Sequence, residues 1–353
     1  MKMPTLLLIT LFAAATVSHA AESPAVPATA TPALASVAST VRKPGEYSHG
    51  PDSKPQPGVP KGKLEGPFEF KSKVLAGTVR QYWVFVPAQY TGDKPACLLV
   101  FQDGQRATNP STNAALRVTQ VLENLIHKKE IPVTIGLFIT PGNRGETYPT
   151  NLAQGNPNNR AQEYDAVNDK YATFLIDEMI PELKTKYQIT DNPDGRVIGG
   201  TSSGAICAFT VAWFRPDQFH KVISLIGSYT SIGFRAATET QPAVSGGEVY
   251  PTWIRRAPPK PIRIFLQDGS NDLSNSTNNT AFTDATTLSN QFGNWHLANQ
   301  QMLSAFEFAN RNARGEGPRY DVNHVWGDGN HSDLHGGTLL PDILRWMFRD
   351  WPE

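Results

Sequence analysis

The sequence predicts an α/β protein with a mostly parallel central sheet and helices on both faces. Short apolar runs alternate along the chain with longer stretches of helical periodicity, the pattern of strands buried on both sides. Long polar insertions at 140–162, 229–260 and 270–291 each follow a predicted strand, so they should gather at the strands' carboxyl end, where ligands bind in open α/β sheets. The 353 residues are 39% hydrophobic and 18% charged, enough for one large domain of ordinary composition.

In chain order, Val79 to Pro87 alternates like an antiparallel strand. Leu98 to Phe101 is a short apolar strand ending at Asp103-Gly104. Ala114 to Ile126 has helical spacing, and Val133 to Ile139 is a further strand. Glu163 to Tyr187 reads as one long helix, because Tyr164, Val167, Tyr171, Phe174, Met179 and Leu183 fall near one face. Arg196 to Ile198 is a strand and Ser203 to Trp213 a buried helix. Val222 to Ile226 and Ile262 to Leu266 are strands, Phe292 to Ala309 a helix, Tyr320 to Val325 a strand and Leu339 to Phe348 the closing helix. No internal repeat is visible.

Upstream of this domain, Lys2, the apolar run Leu6 to Val17 and the small residues Ser18 and Ala20 have the form of a secretory signal peptide spanning 1–20. The run is too short to span a bilayer, so the expectation is export to the periplasm or beyond, with no integral membrane segment after cleavage. Residues 21–62 are rich in Ala, Pro, Ser and Thr without an apolar face and read as a linker, whose part from Gly50 to Gly62 is expected to dock on the 63–353 domain. Lys plus Arg and Asp plus Glu both number 32, a balance with no electrostatic footprint for nucleic acid or anionic membrane. Cys97 and Cys207 are expected to be separate buried thiols.

The sharpest motif is Gly200-Thr201-Ser202-Ser203-Gly204, a G-x-S-x-G run between a strand and an apolar helix. The chain must turn from strand to helix within very few residues, which strains the backbone at the serine and demands glycine two positions to either side. Such a turn lifts the Ser202 hydroxyl clear of the sheet as a candidate nucleophile. It also leaves the Ser203 N–H at the helix N-terminus, able to stabilise an oxyanion. Ser203 is the rival nucleophile, without glycine at both flanking positions. A nucleophilic serine needs a base. Of eight histidines, His331 and His335 lie in the loop between the last strand and last helix, in the chain order Ser…Asp/Glu…His of α/β-hydrolases. His331 is favoured, being closer to the strand end. A His331/His335 metal pair is the competing reading, which lacks a nearby HExxH glutamate. Asp272, past the turn after Ile262 to Leu266, is the candidate acid, and Asp268 its alternative. Phe101-Gln102-Asp103-Gly104-Gln105-Arg106 offers a second oxyanion donor, the N–H of Gln105.

These residues resemble the enterochelin-esterase and esterase-D group of α/β-hydrolases, which also includes feruloyl and acetyl esterases and mycolyltransferases. The resemblance covers about residues 65–350. It is carried by Phe101 to Arg106, by Arg160-Ala161-Gln162-Glu163-Tyr164-Asp165, by Gly200 to Gly204, by Gly269 to Asp272 and by His331. The segment Asn330-His331-Ser332-Asp333-Leu334-His335-Gly336-Gly337 resembles enterochelin-esterase-like secreted proteins rather than the Gly-His-Asp-Phe of many feruloyl esterases. The resemblance implies an α/β-hydrolase fold and ester hydrolysis through an acyl-enzyme, without cofactor or metal, on a polysaccharide-linked acyl group or a siderophore-type ester. Tyr148 and Trp295, in or beside the insertions, are candidates to stack on the substrate. An acyltransferase using the same triad and a non-catalytic carbohydrate-binding protein on this fold are the alternatives.

Overall fold

The computed structural model describes residues 46–150, 157–274 and 293–351. The proposed signal peptide, most of the linker and most of the 270–291 insertion therefore lie outside the described residues. The strands are β1 (Lys63–Lys71), β2 (Thr78–Val86), β3 (Cys97–Gln102), β4 (Thr134–Ile139), β5 (Asn143–Arg144), β6 (Arg196–Thr201), β7 (Lys221–Leu225), β8 (Arg263–Asn271) and β9 (Asp321–Asn330). They form one sheet in the order β1-β2-β4-β3-β6-β7-β8-β9, with β5 paired to β2. β2 pairs antiparallel with β1, β4 and β5, and every pairing from β4 through β9 is parallel.

The helices are α1 (Gly104–Ala107), α2 (Val118–His127), α3 (Arg160–Tyr164), α4 (Lys170–Phe174), α5 (Ile180–Lys184), α6 (Ser203–Phe214), α7 (Tyr250–Arg256), α8 (Trp295–Asn312) and α9 (Asp333–Phe348). Alternate strand residues serve two cores. Leu98, Val100, Ile198, Val222, Ile264 and Leu266 pack with residues of α4 to α8. Leu99, Phe101, Val197, Ile223, Leu225 and Phe265 pack with α2 and α9. Both faces are thus covered, and the central strands are continuous apolar runs for that reason. Cys97 and Cys207 are free, buried thiols in different cores.

Three departures from the sequence reading have local causes. The single helix expected over Glu163 to Tyr187 is interrupted between α3 and α4, where Asn168 Oδ1 accepts the N–H of Lys170 at 3.0 Å and so competes with the helical pattern. Within its second half a π turn, Leu175–Met179, joins α4 to α5. Pro181 follows and supplies no N–H to the preceding turn. The last helix begins at Asp333 rather than Leu339, which moves His335 from the expected loop into the first turns of α9. β1 had no sequence-based expectation because, as an edge strand, it shows a mostly exposed pattern, with only Phe68 and Phe70 leaning on the core.

Residues 46–62 lie against the domain. Asn124 Nδ2 donates to the carbonyls of Asp52 and Lys54, Arg117 donates to the carbonyl of Ser53, and Asp52 pairs with Lys128 and Arg345. These bonds begin upstream of Gly50, at Tyr47, whose hydroxyl donates to Asp328 Oδ1 at 2.6 Å.

Candidate active site

The candidate residues issue from the carboxyl ends of four parallel strands: Gln105 after β3, Ser202 after β6, Asp272 after β8 and His331 after β9. At Ser202 the backbone takes φ 57° and ψ −122°, a conformation that non-glycine residues rarely adopt. A Cβ on Gly200 would lie 2.5 Å from the carbonyl carbon and oxygen of Gly204, which is why position 200 is glycine. Ser202 is fixed by its N–H to the Leu225 carbonyl and by its own carbonyl, which accepts from Ala205 and Ser228.

His331 Nε2 lies 2.8 Å from Ser202 Oγ, and its Nδ1 lies 2.5 Å from Asp272 Oδ1. Asp272 is 2% exposed. β8 and β9 are pressed together here: a Cβ on Gly269 would meet the carbonyl oxygen of Gly329 at 2.2 Å. A bulge between Gly269 and Asn271 then shifts the register. The close approach and the bulge together turn Asp272 and His331 toward each other. Both ring nitrogens of His331 are engaged, and His335 Nδ1 is 2.8 Å from Gln267 Nε2, so the two histidines point to different partners rather than to a shared ligand.

Asp268, the alternative acid, lies beneath the candidate acid. It is fully buried, accepts from the Gly269 N–H and from Asn299 Nδ2, and adjoins Asp272. Burial and the neighbouring carboxylate hold its carboxyl far above the usual range, so it is neutral at pH 7. Asp272 Oδ2 is buried and has no N–H or hydroxyl partner of its own among the described residues. A neutral Asp268 has one proton to give, and donating it to that oxygen satisfies both groups. The two buried carboxyls beneath His331 can thereby share one proton.

Ser203 and Gln105 occupy the first turns of α6 and α1, where N–H groups have no intrahelical acceptor. The two segments adjoin, since a Cβ on Gly204 would lie 3.0 Å from Gln102 Cβ. Asp103 turns the loop in a left-handed conformation at φ 53° and is gripped by Arg160 through two bonds of 2.9 and 2.8 Å. Arg106 pairs with Asp333 at 2.5 Å, tying this loop to the start of α9 just after His331. Asp165 is hydrogen-bonded to the Ser203 side chain, and burial pushes its carboxyl up to about 6. Arg160 and Asp165 were legible only as part of a family-like string; their function as braces of the two loops was not.

The two aromatic residues expected to stack on a substrate are not open platforms. Tyr148 is 5% and Trp295 2% exposed. Trp295 sits edge-on to His331 with ring centroids 5.6 Å apart, and its indole N–H donates to Ser228 Oγ at 2.9 Å. Ser228 in turn lies 3.1 Å from Ser202 Oγ. Sequence reasoning missed Ser228. The signal available was its place at the carboxyl end of β7, the strand beside the one that carries Ser202. It follows Ile226, a β-branched residue at φ 44° and so a strained position.

The sequence profile of the Esterase family, described as "Putative esterase", matches residues 72–332. The chain belongs to the Esterase family. Membership places it among the carboxylic-ester hydrolases. It is 23% identical to the uncharacterized protein YbbA of Bacillus subtilis (strain 168) over 195 residues, 55% of this chain and 69% of that protein. In fold it is similar to the enterobactin esterase of Shigella flexneri (TM-score 0.55, 20% identity), covering 82% of this esterase but 59% of that chain. It is likewise similar to a CE1 ferulic acid esterase of Anaeromyces mucronatus (TM-score 0.58, 14% identity), covering 87% of this esterase and 98% of that chain. The esterase thus spans about three fifths of the enterobactin enzyme's length, and at these identities the likeness is one of fold.

Proposed function

We propose that this esterase hydrolyses a carboxylic ester through an acyl-enzyme on Ser202. One observation carries the reading: a single imidazole bridges Ser202 Oγ at 2.8 Å and a buried carboxylate at 2.5 Å, although the three residues come from three separate loops. His331 takes the proton of Ser202 as Oγ attacks the ester carbonyl, and Asp272 holds the Nδ1–H tautomer and stabilises the imidazolium. The N–H groups of Gln105 and Ser203 receive the oxyanion. The alcohol leaves with the proton from His331. Water, deprotonated by the same imidazole, then releases the acid. The esterase is proposed to be exported and to act on an ester such as an acyl group on a polysaccharide or a siderophore-type ester, chemistries in keeping with the ferulic acid and enterobactin esterases of similar fold.

Hydrolysis of p-nitrophenyl acetate by the wild type and by Ser202→Ala tests the reading. A loss of at least about 10³-fold is expected, since removing such a serine leaves only binding and oxyanion stabilisation. Equal rates would discard it. A panel of feruloyl, acetyl, glucuronoyl and catecholate esters then ranks the substrates by kcat/KM.

A further inference from the structure

The donors around Ser202 run in one direction. An indole N–H can only donate, so Trp295 fixes Ser228 Oγ as its acceptor at 2.9 Å. An ionised Asp272 can only accept, so Nδ1 of His331 carries the imidazole proton and Nε2 is left as an acceptor for the Ser202 hydroxyl. With both ends fixed, the one proton of Ser228 is free to point at Ser202 Oγ, 3.1 Å away, whose own proton is already turned to His331. Ser228 is fully buried, so water does not compete for that proton.

We propose that Ser228 is a further catalytic residue of this esterase, a hydroxyl donor to Ser202 Oγ that speeds release of the acyl group, with Trp295 as the positioning residue that sets its direction. The proposal rests on the acyl-enzyme reading above.

The effect falls on release rather than formation because of what Oγ is in each ground state. In the free enzyme Oγ is a hydroxyl oxygen and already accepts from Ser228, so the bond is present before attack and gains less on the way to the transition state than it does from an ester ground state. In the acyl-enzyme the same atom is an ester oxygen, a poor acceptor, and the bond is weak. When the tetrahedral adduct collapses, the carbonyl carbon–Oγ bond breaks, its electron pair moves onto Oγ, and the proton held by His331 Nε2 passes to it. Negative charge builds on Oγ during this step, and the bond from Ser228 strengthens with it. An interaction stronger in the transition state than in the ground state accelerates the step it belongs to. Ser228 keeps its own proton throughout.

Pre-steady-state hydrolysis of p-nitrophenyl acetate separates the two stages, with the burst reporting formation and the steady rate reporting release. In Ser228→Ala, release is expected to slow by roughly tenfold or more, less than the roughly hundredfold or greater loss of a full oxyanion-hole donor, while formation changes by less than about threefold. Ser228→Cys, which fills the site but donates weakly, should also slow release more than formation. Trp295→Phe keeps the ring against His331 but removes the N–H. It should slow release in the wild-type background and add nothing in the Ser228→Ala background, a non-additivity that a purely packing role does not give. Release slowed no more than formation in both Ser228 variants, or additive effects of Trp295→Phe, would overturn the proposal. Ser202→Ala in the same experiment separates the two readings. If it still forms an acyl-enzyme, the assignment of Ser202 fails. If it forms none while the Ser228 variants release acid at the wild-type rate, the Ser228 proposal alone fails.

Discussion

Two carboxyls, Asp268 and Asp272, meet beneath His331, and burial with like charge keeps the first neutral while the second orients the imidazole. This arrangement carries a sign for stability. In the unfolded chain Asp268 ionises near the ordinary carboxylate value of about 4, whereas in the native protein it keeps its proton well above that. Between those two values the native state binds more protons, so Asp268 costs stability progressively as pH rises. Asp268→Asn stays neutral at every pH and can still donate through its amide. The Tm of the variant relative to wild type is therefore expected to rise between about pH 5 and about pH 8; a constant difference would contradict a neutral Asp268. At this scale the sequence is uneven in what it shows. Ser202 is announced by glycines whose need is steric and local. Ser228 is not, because its meaning comes from partners 26 and 67 residues away that only the fold brings together. Trp295 illustrates the same limit: an aromatic residue in an insertion suggests a stacking surface, and the structure instead buries it with its N–H engaged.

Elements position these residues, and one of them comes from upstream of the predicted domain. The Tyr47 ring stacks on His335 at 4.0 Å, and its hydroxyl both donates to Asp328 Oδ1 and accepts from the Asp328 N–H at 3.0 Å. Asp328 lies three residues before His331 on the same strand end, so the segment from Tyr47 onward braces the strand that delivers His331. Tyr47→Ala is expected to lower kcat by roughly fivefold with KM nearly unchanged, because a loosened base affects the reacting geometry rather than binding. Tyr47→Phe, which keeps the stack and loses both hydrogen bonds, should fall between. An unchanged kcat alongside a lowered Tm would assign Tyr47 to stability alone. A linker-like composition hid this contact, since single anchoring residues leave no periodic signal. The central strands and α6 were legible because burial on both sides leaves continuous apolar runs. The break after α3 and the early start of α9 were not, because side-chain competition with the helix and tertiary ties such as Arg106 to Asp333 decide them.

Across the whole molecule, the parallel sheet gathers four loop ends at one edge, so residues spread from 105 to 331 share one site. The order of the strands matters: β3 and β6 are neighbours, which sets the Gln105 loop against the Ser202 turn. The formal net charge is zero, so no long-range field gathers anionic substrates. For an anionic ester, kcat/KM is accordingly expected to change by less than about twofold between low and moderate salt, and a steep change would point to charge steering that the composition does not supply. The parallel sheet and its covering helices follow from pattern alone. Convergence of the three candidate residues was a geometric expectation, and the distances around His331 are what give it chemical content. The most direct measurement is the intact mass of the esterase rapidly quenched in acid during turnover of a slow ester, followed by peptide mapping. The expected result is a mass increase equal to one acyl group, located on the peptide containing Gly200 to Gly204 and absent in Ser202→Ala. An acyl group mapped to Ser203 or Ser228, or active turnover with no acyl group on Ser202 and full activity in Ser202→Ala, would contradict it.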